Sequence, residues 1–211
     1  ILQIKGVNKM DYIRRGTAEY HKANIALFSG GFCTFAIIWG TQPILPDIAE
    51  QYNITPAVSS LSVSVTIIAL AISLLITSSI SEAYGRKPIM TFALVSAAIL
   101  TIFTGFAPTF ELLLVFRALQ GITLAGLPAV AMAYLGEEIE PRSLGLTMGL
   151  YISGNSVCGM SGRIISGVLT DVFNWQTAII FMGVLGLAAS IMFHYLLPAS
   201  KHFEAKPLQC K

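Results

Sequence analysis

Long stretches without charge alternate with short polar breaks along this chain. Residues 23–46, 51–81, 88–110 and 172–200 hold no Asp, Glu, Lys or Arg, while 112–136 and 143–170 hold one each, Arg117 and Arg163. Within the runs the apolar residues do not alternate with polar ones. The stretch 69–76 is apolar nearly all round, with small residues interspersed. A hydrocarbon layer about 30 Å thick takes roughly 20 helical residues to cross, and lipid offers no partner for an unpaired backbone amide or carbonyl. A transmembrane β-barrel would show segments of about ten alternating residues instead. The pattern therefore predicts an all-α membrane protein with six transmembrane helices, at about 24–45, 58–80, 88–106, 111–135, 143–168 and 177–197.

The breaks carry turn chemistry. Pro43 and Pro46 close the first span, Pro56 precedes the second, and Ala107-Pro108-Thr109 makes a tight turn between the third and fourth. Glu140-Pro141-Arg142 stops the fourth, and Trp175 sits before the sixth, at a typical interfacial aromatic position. These limits divide the chain into a tail over 1–22, a helical domain over 23–200 and the start of a further loop over 201–211.

Composition agrees with that division. Of 211 residues, 55% are hydrophobic and 11% charged, where a soluble domain carries about 25% charge. Mean hydropathy is +0.72. Charge placement then sets the orientation. Lys5, Lys9, Arg14, Arg15 and Lys22 precede the first span, and Arg86, Lys87 and Arg142 lie in the second and fourth loops. Lys201, Lys206 and Lys211 follow the sixth span, so eleven of the 13 Lys and Arg residues fall on one side. The loops on the other side hold none. Positive charge is retained on the cytoplasmic side, so both ends are expected there. No cleavable signal peptide is expected ahead of the first run.

Little in the chain points to catalysis. Cys33, Cys158 and Cys210 form no disulfide framework, and no Cys/His cluster points to a metal. No phosphate-binding Gly-x-x-x-x-Gly-Lys-Ser/Thr loop is present, which argues against a nucleotide-driven pump. Gly154-Asn155-Ser156-Val157-Cys158 misses the nucleophile elbow by its last glycine and has no strand before it. His21, His194 and His202 are scattered. No cofactor, no metal and no nucleic-acid partner is expected. The triplet Asn53-Ile54-Thr55 is a glycosylation sequon by pattern, read as incidental because Pro56 follows it.

Three motifs carry a family resemblance. The loop between spans two and three reads Ser78-Ser79-Ile80-Ser81-Glu82-Ala83-Tyr84-Gly85-Arg86-Lys87-Pro88. It resembles the cytoplasmic Gly-x-Leu-Ala-Asp-Arg-x-Gly-Arg-Lys signature of the major facilitator superfamily. Gly85, Arg86 and Lys87 match it directly, Glu82 replaces the Asp, and Ser78 and Ala83 replace a Gly and an Arg. Arg117-Ala118-Leu119-Gln120-Gly121 is similar to the family's Arg-x-x-Gln-Gly motif in span four. Gly145, Gly154 and Gly162 fall on glycines of the span-five motif of its antiporters, where Cys158, Gly159 and Arg163 replace a Gly, the Pro and the final Gly. Gln42-Pro43-Ile44-Leu45-Pro46, Trp175 and Leu197-Pro198 are further echoes, and the matches together run from about residue 25 to 205.

The resemblance implies the N-terminal half of a major facilitator fold, a 3+3 inverted repeat, with the substrate site between it and a second six-helix half. It implies a latch at Glu82, Gly85, Arg86 and Lys87, in which Arg86 holds Glu82 and the carboxylate engages a helix N-terminus of the other half. Arg117, with Gln120 and Gly121, is implied in coupling or switching. An intramembrane guanidinium costs about 2.5–3.5 kcal/mol on insertion scales, so it faces the protein interior or a wet cavity. Snorkelling outward, or a pairing with Glu111 about 9 Å away along the axis, is the structural alternative. Trp39, Gln42 and Asn155 are expected at the substrate cavity. Gly154, Cys158, Gly162 and Ser166 recur every four residues and form a helix-packing stripe, on which span five could also slide against the opposite half. Arg163, near the outer end of span five, is expected to snorkel to the headgroups.

These readings combine into an expected secondary transporter of a small organic solute, exporting it by alternating access with a proton as coupling ion. It would be a multi-pass protein of the bacterial inner membrane. The rival reading is a six-span assembly or regulatory protein without transport of its own.

Overall fold

The computed structural model describes residues 12–200. Lys5, Lys9, Cys210, the basic residues beyond 200 and the loop expected at 201–211 lie outside the described residues. The fold is helical almost throughout. The elements are α1 (Ala18–Trp39), α2 (Leu45–Gln51), α3 (Pro56–Ser59), α4 (Leu61–Tyr84), α5 (Arg86–Thr104), α6 (Phe110–Leu124), α7 (Pro128–Glu138), α8 (Pro141–Val172) and α9 (Trp175–Leu196). The only β-type contact among the described residues is a bridge between Ile13 and Ile139.

Helix ends depart from the apolar runs, because caps and prolines end a helix whereas the bilayer only requires it to be long enough. The first helix begins six residues before the expected limit. The Thr17 hydroxyl accepts from the Tyr20 amide there, satisfying one of the amides left over at a helix start. It ends at Trp39 rather than near 45, and Pro46 opens the separate short α2. Span four is broken in two. Pro128 has no N–H to donate and its ring would strike the carbonyl four residues back, so α6 stops at Leu124 and Pro128 takes the first turn of α7. Pro141 likewise opens α8, which runs for 32 residues.

Five stretches are long and apolar enough to cross a membrane: Ala18–Trp39, Pro56–Tyr84, Arg86–Thr104, Phe110–Glu138 and Trp175–Leu196. The sixth crossing, α8, is long enough but is diluted by glycines, serines, Asn155 and Arg163. Short connections alternate between two ends. One end holds the start of α1, the α4–α5 and α7–α8 turns and the end of α9. There Ile13 exchanges backbone hydrogen bonds with Glu138 and Glu140, and Tyr134 donates to the Pro198 carbonyl. At the far end Tyr52 donates to the Ala107 carbonyl at 2.7 Å, and burial pushes its phenol up from the ordinary value. A second apolar cluster around Ile44, Ile48, Phe110 and Trp175 closes that end.

The packing reveals the internal repeat. The most extensive pairings are α5 with α9, α1 with α8, α4 with α6, α1 with α9, and α5 with α6. Exchanging span one with four, two with five and three with six carries the α1–α8 pair onto α6–α4. The same exchange carries α1–α9 onto α6–α5, and α5–α9 onto itself. Three crossings are an odd number, so the second triplet enters the membrane from the opposite side. Two triplets packed alike and inserted oppositely make a 3+3 inverted repeat.

Small residues set the crossings. A Cβ on Gly162 would lie 2.5 Å from the Ala36 Cα, one on Gly183 would lie 2.9 Å from the Ile102 amide nitrogen, and one on Gly121 would strike the Thr66 carbonyl. Lipid tails are as apolar as leucine, so helices gain by close backbone approach rather than by leaving lipid.

Candidate functional site

The α4–α5 turn is built around Gly85. Its φ of 100° and ψ of 150° lie where a side chain is strained, which lets α5 begin only one residue after α4 ends. Arg86 is thereby turned inward and is nearly fully buried. Its Nη1 donates to the Ser81 hydroxyl at 2.7 Å. Its Nε and Nη2 clasp the Glu137 carboxylate of α7 at 3.2 and 2.6 Å. The carboxylate that holds Arg86 in this pair is thus Glu137, not the Glu82 expected from sequence. Glu82 is half-buried on the last turn of α4. Lys87 donates to the Leu197 carbonyl at the end of α9, at 2.6 Å. Glu137 was missed because a Gly-Glu-Glu at a span end reads as a plain boundary. The available signal was an unpaired acid in a loop on the same side as Arg86.

Arg117 lies in the middle of the half and is 2% exposed. It does not pair with Glu111. Its Nε donates to the Ser62 carbonyl of α4 at 3.2 Å, and its Nη1 to Gln120 Oε1 at 2.7 Å. Gln120 in turn donates to the Thr101 and Thr104 hydroxyls of α5. Two charge-assisted bonds of about 1.5–3 kcal/mol each offset an insertion cost of about 2.5–3.5 kcal/mol. That balance lets the guanidinium stay buried without a carboxylate, with Nη2 unpartnered. Arg117, Gln120, Thr41 and Ser166 border a cavity of about 10 Å³.

The stripe on α8 packs against α1. Gly154 lies against Phe28, Gly162 against Ala36, and the Cys158 thiol points to the Phe28 carbonyl. Ser166 is buried one turn further on. The opposite half is therefore not what this face meets; α1 already covers it.

The neighbouring face of α8 is open. With Phe35 and Trp39 of α1 it lines a cavity of about 440 Å³ that includes Asn155, Met160 and Arg163. The Arg163 guanidinium lies 4.8 Å above the Trp39 ring centre, a cation–π contact of about 0.5–2 kcal/mol. It stacks on the tryptophan instead of reaching outward on its own. The Asn155 side chain lodges against Gly31, its Oδ1 buried and unpartnered. Trp39 and Asn155 therefore share one cavity. Gln42 does not line it; its backbone amide donates to the Trp39 carbonyl in the turn that follows α1.

The profile of the Major Facilitator Superfamily matches residues 27–209. This chain belongs to the major facilitator superfamily. Within the superfamily it is 48% identical to an uncharacterized MFS-type transporter, YybF, of Bacillus subtilis, over 95% of this chain and 50% of that protein. It is 47% identical to the inner membrane transport protein YnfM of Escherichia coli, over 95% of this chain and 48% of the relative. The chain thus spans about half the length of these relatives. A solved superfamily structure, a bacterial homologue of the human lysosomal transporter Spinster, superposes with a TM-score of 0.68. The identity is 16%, and the match covers 91% of this chain and 46% of the other. The chain is an integral membrane protein of this superfamily.

Proposed function

We propose that this chain is the N-terminal half of a secondary transporter that exports a small organic solute across the bacterial inner membrane by alternating access coupled to protons. The observation that carries this reading is the open face of α8, which sets an arginine and two further polar side chains among apolar ones. A span whose exposed side presents Arg163, Asn155 and Ser156 is unsuited to lipid, and in a chain of half length it is the natural wall of a cleft shared with a second half. The E. coli relative is named an inner membrane transport protein, in keeping with that location. Two Candida albicans relatives at 25% and 26% identity are named MFS antiporters, QDR3 and QDR1, which favours exchange over uptake.

In this reading both ends of the chain are cytoplasmic, following the retained positive charge. Glu82 engages a helix N-terminus of the second half while the Arg86–Glu137 pair fixes the turn that presents it. Arg117, buried with one nitrogen unsatisfied, is the group whose partners change between states. Trp39 and Asn155 meet the solute. The test is transport of solutes of varied charge into everted membrane vesicles from cells making the gene's full product. Accumulation that collapses with a protonophore is expected. Failure to move any of them would overturn the proposal.

A further inference from the structure

We infer that the cavity between α1 and α8 receives an anionic organic solute, whose carboxylate or similar oxyanion sits on Arg163 while its apolar body lies along Phe35 and Met160. This deepens the transporter reading and rests on it. Arg163 is exposed on the cavity face, and among the described residues no carboxylate lies within ion-pairing distance of it. The nearest acid further along α8, Asp171, is eight residues on, about 12 Å along the axis. The cavity lining holds no Asp or Glu at all. A cationic solute would be repelled there, and a neutral one would gain nothing from the charge.

Geometry narrows the class further. The Arg163 guanidinium carbon lies 4.8 Å from the Trp39 ring centre, and the forked N–H groups of a guanidinium suit a planar two-oxygen acceptor. Packing does not explain an arginine at this position, because its neighbour Gly162 makes the close contact with Ala36. Arg163 lies nine residues from the C-terminal end of α8, about 14 Å, beside the Trp39 ring. A volume of about 440 Å³ is in the range of small-molecule pockets.

The experiment uses everted vesicles containing the gene's full product and three carboxylates, benzoate, 4-hydroxybenzoate and phenylacetate, each paired with its neutral amide. Ethidium serves as a cation. The expected result is transport of at least one carboxylate with a KM at least about tenfold below that of its amide. Arg163→Gln should then raise the carboxylate KM about tenfold or more and leave the amide KM within about twofold. Arg163→Lys, keeping the charge but not the fork, should restore part of the loss. Immunoblots for equal membrane abundance exclude a folding defect. Preference for amides or ethidium with no effect of Arg163→Gln would overturn the anion class while leaving the transporter intact. Equal loss for acid and amide would also overturn it, since that is the signature of an arginine paired with the second half. Movement of no probe of any charge would fail the transporter reading, and this inference with it.

Discussion

Replacing Gly162 with alanine tests the packing argument directly. The new methyl would lie 2.5, 2.7 and 2.8 Å from the Cα, carbonyl oxygen and Cβ of Ala36, where carbon atoms rest at about 3.5–4.0 Å. Two of those three atoms belong to the α1 backbone, so no rotamer change relieves the overlap of about 1 Å. The helix itself must move, disturbing Gly154 against Phe28 and Gly159 against Trp39. Overpacking of this kind costs about 3 kcal/mol. Gaining alanine's helix propensity returns about 1 kcal/mol. The net loss is about 2 kcal/mol, or about 4–8 °C in Tm for a chain of this length. Gly145 lies on the same helix, and a methyl added there would meet nothing within 4 Å beyond its chain neighbours and the nearby backbone of its own helix. Gly145→Ala should therefore raise Tm by about 2–4 °C. Thermal unfolding in detergent reads both. A Gly162→Ala protein that unfolds at or above the parent temperature would refute the reasoning.

Three further outcomes follow from the geometry. Gly85→Ala forces a side chain into a backbone region essentially reserved for glycine, and should destabilise by about 1–3 kcal/mol, read as a lowered Tm. A double-mutant cycle on Arg86→Met and Glu137→Gln should return a coupling of about 1–2 kcal/mol, below the value for a fully buried pair because Glu137 is 31% exposed; additivity would show that the ion pair contributes nothing. Arg117→Met should hold stability within about 1 kcal/mol of the parent, since no carboxylate is stranded, while transport in vesicles is lost. A large drop in Tm with transport intact would reverse the assignment of Arg117 from switch to scaffold.

The legible and illegible parts of the site differ in range. Gly85, Arg86 and Lys87 stand out because a tight turn between two spans leaves few sequences that work. Arg117 stands out because charge is rare in a span. Their partners do not stand out. Glu137 is 51 positions from Arg86 and Ser62 is 55 from Arg117, and each reads as an ordinary boundary or span residue. Arg163 was legible as an intramembrane charge, but its bed on Trp39 joins two helices at positions 124 apart, so local sequence showed only a residue long enough to snorkel.

The sequence by itself determined that the chain folds as a helical membrane protein of apolar spans joined by short polar breaks, because lipid imposes length, apolarity and backbone pairing on each span separately. The rotation of each helix about its own axis was decided only in the tertiary structure. Spans that are apolar nearly all round give little by which to orient them, and even the four-residue stripe on α8 marks a packing face without naming its partner, so contact with another helix chooses the arrangement. That choice turned the Gly154–Ser166 stripe onto α1, left the Arg163 face open, and gave Arg86 and Arg117 their partners.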